Sequence, residues 1–253
     1  HVIIPSFIKK IGAYSFSQCL SLSKIEFESN SKIQTIEKKA FFESNLESIE
    51  IPSSAELDES WCAYTSKLNN VTIIQNEVQN ISLFENKFIV GKTNPKSDNF
   101  DILLFARRDI KHAIIPSFIK KIGSCSFSQC NKLEKFEFEK NSELEIIEKK
   151  AFQDSSIQNI TIPSSVTLLR TKAFSDCEGL RMFDFEANSK LQKIETKAFC
   201  YSNIENLAIP SSIIELEEGW CKATQSLINI TIIQILDKTF HFLITNSSLV
   251  KQI

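Results

Sequence analysis

The stretch that decides the fold is "IPSFIKKIGSCSFSQCNKLEKFEFE", Ile115–Glu139. It repeats, almost unchanged, the stretch from Ile4 to Glu28, and the likeness extends back to His112 and His1, so two copies stand 111 residues apart. A shorter period lies inside the long one. The last inward apolar residue of each strand-like run recurs at Ile4, Phe27, Ile51, Ile73, Ile115, Phe138, Ile162, Phe185, Ile209 and Ile232, at intervals of 22–24 residues with one exception of 42.

Each unit begins with alternating apolar and polar residues, as in "KIEFE", "SIEIP", "KFEFE" and "NITIP". That alternation predicts a strand with one buried face. The rest of the unit, for example "IEKKAFFES", spaces apolar residues three to five apart, which predicts short helical or irregular segments. One such unit cannot bury its apolar side alone, whereas stacked neighbours can. The expected fold is an α/β repeat solenoid, leucine-rich-repeat-like. About ten units of 22–24 residues carry parallel strands on one face and helical or irregular segments on the other. The whole chain, 1–253, reads as a single solenoid, with a β-hairpin insertion at 76–111 and an atypical C-terminal segment at 236–253.

A ladder of aromatic residues supports this register. Phe16, Phe41, Phe127, Phe152, Phe174 and Phe199 hold one slot of the unit, and Trp61 and Trp220 take it elsewhere. A stripe of rings at the repeat period predicts a stacked core spine rather than a cofactor site.

The residues also carry a family resemblance. "IPSFIKKIGSCSFSQCNKLEKFEFE" and "IPSSVTLLRTKAFSDCEGLRMFDFE" resemble the BspA-like leucine-rich repeats, and the insertion "ENKFIVGKTNPKSDNFDILLFARRDIKHAIIPSFIK" resembles their trichomonad-type branch. The resemblance covers nearly the whole chain. It implies a cell-surface protein that adheres to host cells or matrix proteins. A cytoplasmic scaffold for protein–protein interaction is the alternative it leaves open.

Composition narrows the chemistry. The net charge of −2 gives no electrostatic footprint for nucleic acid. No run of eighteen apolar residues exists to span a bilayer, so no membrane insertion is expected of this chain. It starts at His1 in mid-pattern and reads as a fragment. Its five glycines are isolated, against a phosphate-cradling loop. Only three histidines occur, with no Cys-x-x-Cys pair and no Gly-x-Ser-x-Gly. No metal, cofactor or catalytic residue is expected, and the chain reads as a non-enzyme. Five of the seven cysteines recur with the unit: Cys19, Cys130 and Cys177 stand where other units have Ser44, Ser155 and Ser202, and Cys62 and Cys221 follow the ladder tryptophans. They predict buried, mostly reduced thiols acting as small hydrophobes.

Two surfaces are candidates for binding a protein or extracellular-matrix ligand. The first is the outward strand face, whose columns read Glu26, Glu50, Thr72, Glu137, Thr161 and Asp184, flanked by Glu28, Glu139 and Glu186. Like charges side by side on a sheet are unfavourable, which sets binding beside plain solvation as their explanation. The second is the basic hairpin, with Lys92, Lys96, Arg107 and Arg108 as contacts. Opposite charge on the two surfaces leaves oligomerisation open. Five N-x-[ST] sequons, at Asn70, Asn80, Asn159, Asn229 and Asn246, are glycan acceptors if the chain is secreted.

Overall fold

The computed structural model describes residues 1–233 and 240–243. These form two compact units. The first comprises residues 1–110 and 123–131; the second comprises 111–122 and the chain from 132 onward.

In the first unit, strands Val2–Ile4, Lys24–Phe27, Ser48–Pro52 and Asn70–Ile74 pair in parallel, each with the next turn of the chain. Their residues alternate in burial because successive side chains leave a strand on opposite faces. A second column of two-residue strands, Lys10–Ile11, Thr35–Ile36 and Glu56–Leu57, runs beside them. After Ile74 the pattern changes to an antiparallel meander of Ile81–Phe84, Phe88–Gly91 and Ile102–Ala106, with an irregularity between Leu103 and Phe105. The last two of these strands are buried at every position. The meander is therefore part of the core of this unit. Its Phe105 ring lies 5.8 Å from Trp61 and continues the aromatic spine that runs from Phe16 through Phe41. Gly123 is required where the chain returns, because a Cβ there would meet the Leu103 carbonyl oxygen at 2.8 Å.

The second unit repeats the plan. His112–Ile115 pairs with Lys135–Phe138, and Asn159–Ile162, Met182–Phe185, Asn206–Pro210 and Asn229–Ile233 pair in succession. Phe240–Leu243 adds an antiparallel strand to the last of them. The short column here runs through Lys121–Ile122, Ile146–Ile147, Leu168–Leu169, Lys193–Ile194 and Glu215–Leu216. Phe152, Phe174 and Phe199 stack nearly parallel, and Trp220 meets Phe199 edge-on at 6.0 Å.

The expected helical segments are not there: no helix occurs among the described residues. Segments such as 149–155 are instead consecutive turns. The Gln153 and Ser155 amides donate to carbonyls three residues back, Lys150 and Phe152. The alternate amides, of Lys150, Phe152 and Asp154, donate to Thr171, Ala173 and Ser175 in the next rung. Lys150 and Asp154 have φ of +59° and +61°, and the same pair of left-handed positions recurs at Lys172 and Asp176 and at Lys197 and Tyr201. A left-handed L-residue costs roughly 1–2 kcal/mol and ends a helix. The inter-rung bonds offset that cost, since buried backbone groups must find partners. An apolar spacing of three to five residues suits this double turn as well as it suits a helix.

Candidate recognition surfaces

The strand face presents its outward column in register. Ile3 stands opposite Glu26 and Glu50 opposite Thr72 in the first unit; Ile114 opposite Glu137 and Thr161 opposite Asp184 in the second. Thr72, Ile114, Glu137, Thr161 and Asp184 are exposed, while Glu26 and Glu50 are half-buried. The charge is milder than the carboxylates alone imply. Glu26 holds both Lys24 and the His1 imidazole, the latter at 2.7 Å. Its hydrogen bond pushes the Lys24 ammonium above its ordinary pKa. Glu137 pairs with Lys135 at 2.9 Å. The Asp184 carboxylate makes no hydrogen bond or ion pair among the described residues.

The flanking carboxylates have a different task. Glu28, Glu139 and Glu186 each accept the backbone N–H of a serine one rung back, Ser6, Ser117 and Ser164, at 2.8, 2.8 and 2.9 Å. Those serines follow the prolines of the "IPS" turns, so each glutamate caps the corner where the face strand ends. A second set works in the same way along the turn segments. Glu37, Glu195 and Glu217 accept from the amides of Ala13, Thr171 and Thr196, each at 2.9 Å. Charge-assisted bonds to backbone amides explain why acidic residues recur with the period. The signal was present in the sequence as a serine and a glutamate 22 residues apart.

The insertion also sorts its charges. Lys96 is exposed, and Lys92 lies half-buried with its ammonium 5.3 Å from the Phe100 ring centroid. Arg107 is held in a two-point pair with Asp109, at 3.1 and 2.9 Å. Arg108 is 3% exposed and is no surface contact. Its guanidinium lies 4.6 Å from the Phe105 ring centroid and donates to the carbonyls of Ala106, Cys125 and Ser126. Sequence reasoning grouped it with its neighbours because "RR" carries no sign of which arginine turns inward.

Asn70 and Asn159 are exposed. The Asn80 amide donates to the Ser54 carbonyl at 2.8 Å, and the Asn229 amide to the Asn206 side chain at 2.7 Å. Asn246 lies outside the described residues. All seven cysteines are free, and all but Cys19 are buried. Burial pushes the thiols of Cys62, Cys177 and Cys221 up to about 12, so they remain protonated. Among the described residues no group of three His, Cys, Asp or Glu side chains is placed to hold a metal ion, and no helix is long and apolar enough to cross a membrane.

Comparisons with known proteins agree with this architecture. A leucine-rich cell surface protein from Faecalibacterium prausnitzii matches with a TM-score of 0.74 at 21% identity, over 92% of this chain and 59% of that one. The pneumococcal vaccine antigen PcpA matches with a TM-score of 0.55 at 19% identity, over 91% and 61%. A leucine-rich repeat protein from Eubacterium ventriosum gives 0.61 at 16% identity, over 90% and 80%. The chain thus spans about three fifths of the first two of these proteins. No curated protein sequence matches it significantly. The family model for the BspA-type leucine-rich repeat region, in six copies, matches residues 1–97 and 98–228. On that match the chain belongs to the BspA-type leucine-rich repeat family.

Proposed function

We propose that this chain is a non-enzymatic recognition module of a cell-surface protein, binding a host or matrix protein through its outward strand face. The observation that carries the reading is the Thr161–Asp184 pair. Both are exposed and in register on strands that pair along their whole length, and the Asp184 carboxylate has no hydrogen-bond or ion-pair partner among the described residues. A fixed ladder presenting uncommitted polar groups loses little entropy on binding. The family and the surface-protein neighbours support the same reading.

The test is binding to immobilised fibronectin and laminin by wild type, by Asp184→Lys with Glu137→Lys, and by Lys92→Glu with Lys96→Glu. Salt-sensitive binding lost only in the first variant supports the strand face. Loss only in the second transfers the site to the insertion, and no binding by wild type removes the matrix assignment. An intracellular scaffold is the competing reading, favoured by cysteines such as Cys130 and Cys177 that fill buried packing slots. Surface labelling of intact cells separates the two.

A further inference from the structure

The segment G-x-x-S-F-S-Q-C occurs twice in the first unit, as Gly12–Cys19 and Gly123–Cys130, in different surroundings. The second copy is the seat of the meander strand Ile102–Ala106. The Gly123 amide donates to the Leu103 carbonyl at 2.8 Å, and the Ala106 amide to the Ser126 carbonyl at 3.0 Å. Arg108 then lies across the rung. It donates to the carbonyls of Cys125 at 3.3 Å and Ser126 at 2.7 Å, and to Cys130 Sγ at 3.6 Å. Under that cover Cys125, Ser126, Phe127, Ser128 and Cys130 are all buried.

The first copy presents the same groups to solvent. Ser15 is exposed, and Gly12, Phe16, Ser17 and Cys19 are half-buried. The Gly12 amide and the Ser15 carbonyl, counterparts of the two groups that hold the strand, have no hydrogen-bond partner among the described residues. Gly12 itself is a second observation. At Gly123 a Cβ would meet the Leu103 carbonyl oxygen at 2.8 Å, so a side chain is barred. At Gly12 a Cβ would meet only Ser15 Oγ at 3.5 Å and Glu37 Oε2 at 3.7 Å, ordinary contacts, and the backbone is not left-handed. Its own rung does not require glycine, whereas the close approach of another backbone does. The two positions that differ leave the seat intact. The Tyr14 carbonyl accepts the Ser17 amide at 3.0 Å as the Cys125 carbonyl accepts that of Ser128 at 3.1 Å, so the backbone follows the same path. The Tyr14 ring turns to the next rung, onto Phe42 and the Lys39 ammonium.

We infer that residues 12–19 form a docking seat for an extended apolar strand of a partner polypeptide, with the pattern I-L-L-F-A-x-R that Ile102–Arg108 presents. The interface at Gly123–Cys130 supplies the template. Main-chain bonds to Gly12 and Ser15 set the strand's register, and Phe16 takes its apolar side. The arginine lies over the carbonyls of Tyr14 and Ser15, whose partial negative charge it complements. A second copy of this chain does not fit the role, because its own Ile102–Ala106 is buried at every position and bound to its own rung.

The probe is a fluorescent peptide copying residues 99–111, added to the full chain and followed by polarisation and by the alkylation rate of Cys19. Saturable binding is expected, weakened at least about tenfold by Gly12→Val in the chain and at least about fivefold by Arg108→Ala in the peptide. Bound peptide should slow Cys19 alkylation at least about tenfold, since its counterpart Cys130 is buried under the seated strand. Methylating the Ala106 nitrogen of the peptide deletes the bond to Ser15 and should abolish binding. The peptide variants leave the chain unaltered, so they carry the test if Gly12→Val melts early. No binding, binding that Gly12→Val and the methylated peptide leave within about twofold, or Cys19 alkylation unchanged at saturation overturns the seat. Self-association of the chain alone that Gly12→Val abolishes would put a second copy there and overturn the partner assignment.

Discussion

The rings of Phe152 and Phe174 lie 4.9 Å apart with planes 7° from parallel, one rung above the other. Both are fully buried, and Phe136 meets the outer face of Phe152 edge-on at 4.9 Å. Each ring thus fills space that two rungs share, and a deletion is felt by both. Phe152→Ala should destabilise the chain by about 3–5 kcal/mol, read as a lower denaturant midpoint. An unchanged midpoint would contradict the register of the spine.

Glu217 supplies a pH dependence. Its hydrogen bonds to Lys193 and to the amide and hydroxyl of Thr196 lower its pKa from 4.5 to about 2. A depressed carboxylate contributes stability above its unfolded pKa and loses it as pH falls through the folded value. The melting-temperature gap between wild type and Glu217→Gln should therefore be largest near neutrality and close between pH 4.5 and 2. A gap independent of pH over that window would mean that the charge contributes nothing.

The thiols should divide sharply in reactivity. Cys19 is half-buried, whereas the other six of the seven lie in the core. Only thiolate reacts, and burial holds Cys62, Cys177 and Cys221 up to about 12. A colorimetric thiol titration of the native chain should reveal Cys19 quickly and the rest only in denaturant. Rapid reaction of several thiols in the native state would show that the rungs open readily.

Arg108 should behave as a structural residue. Arg108→Met removes the guanidinium bonds to the carbonyls of Ala106, Cys125 and Ser126, the last two of which keep backbone donors in Ser128 and Ala106, at a cost of about 2–3 kcal/mol. Lys at this position should recover little, because one ammonium cannot reproduce the planar fork. A thermal melt of both variants checks this, and a surface role would instead leave both melts at the wild-type temperature.

The period, the parallel strands and the aromatic spine were legible because a repeat forces the same residue type into the same environment rung after rung. Alternation in "KFEFE" and the recurrence of Phe152, Phe174 and Phe199 were sufficient. The turn segments were not legible, because "IEKKAFFES" has an apolar spacing that a helix and a double turn satisfy equally. The decision falls to Lys150 and Asp154, whose left-handed φ is held by carbonyls of the neighbouring rung.

The candidate surfaces divide along the same line. By itself the sequence determined which residues share a column, since a column is only a period. Only the tertiary structure decided what each member does there. Glu28, Glu139 and Glu186 are turned onto serine amides, Arg107 onto Asp109, and Arg108 inward over Phe105. Asp184 is left without an ion pair among the described residues. The reason is physical: identity and spacing are local, whereas the partner of a charge is set by which atoms a neighbouring rung brings within hydrogen-bond reach.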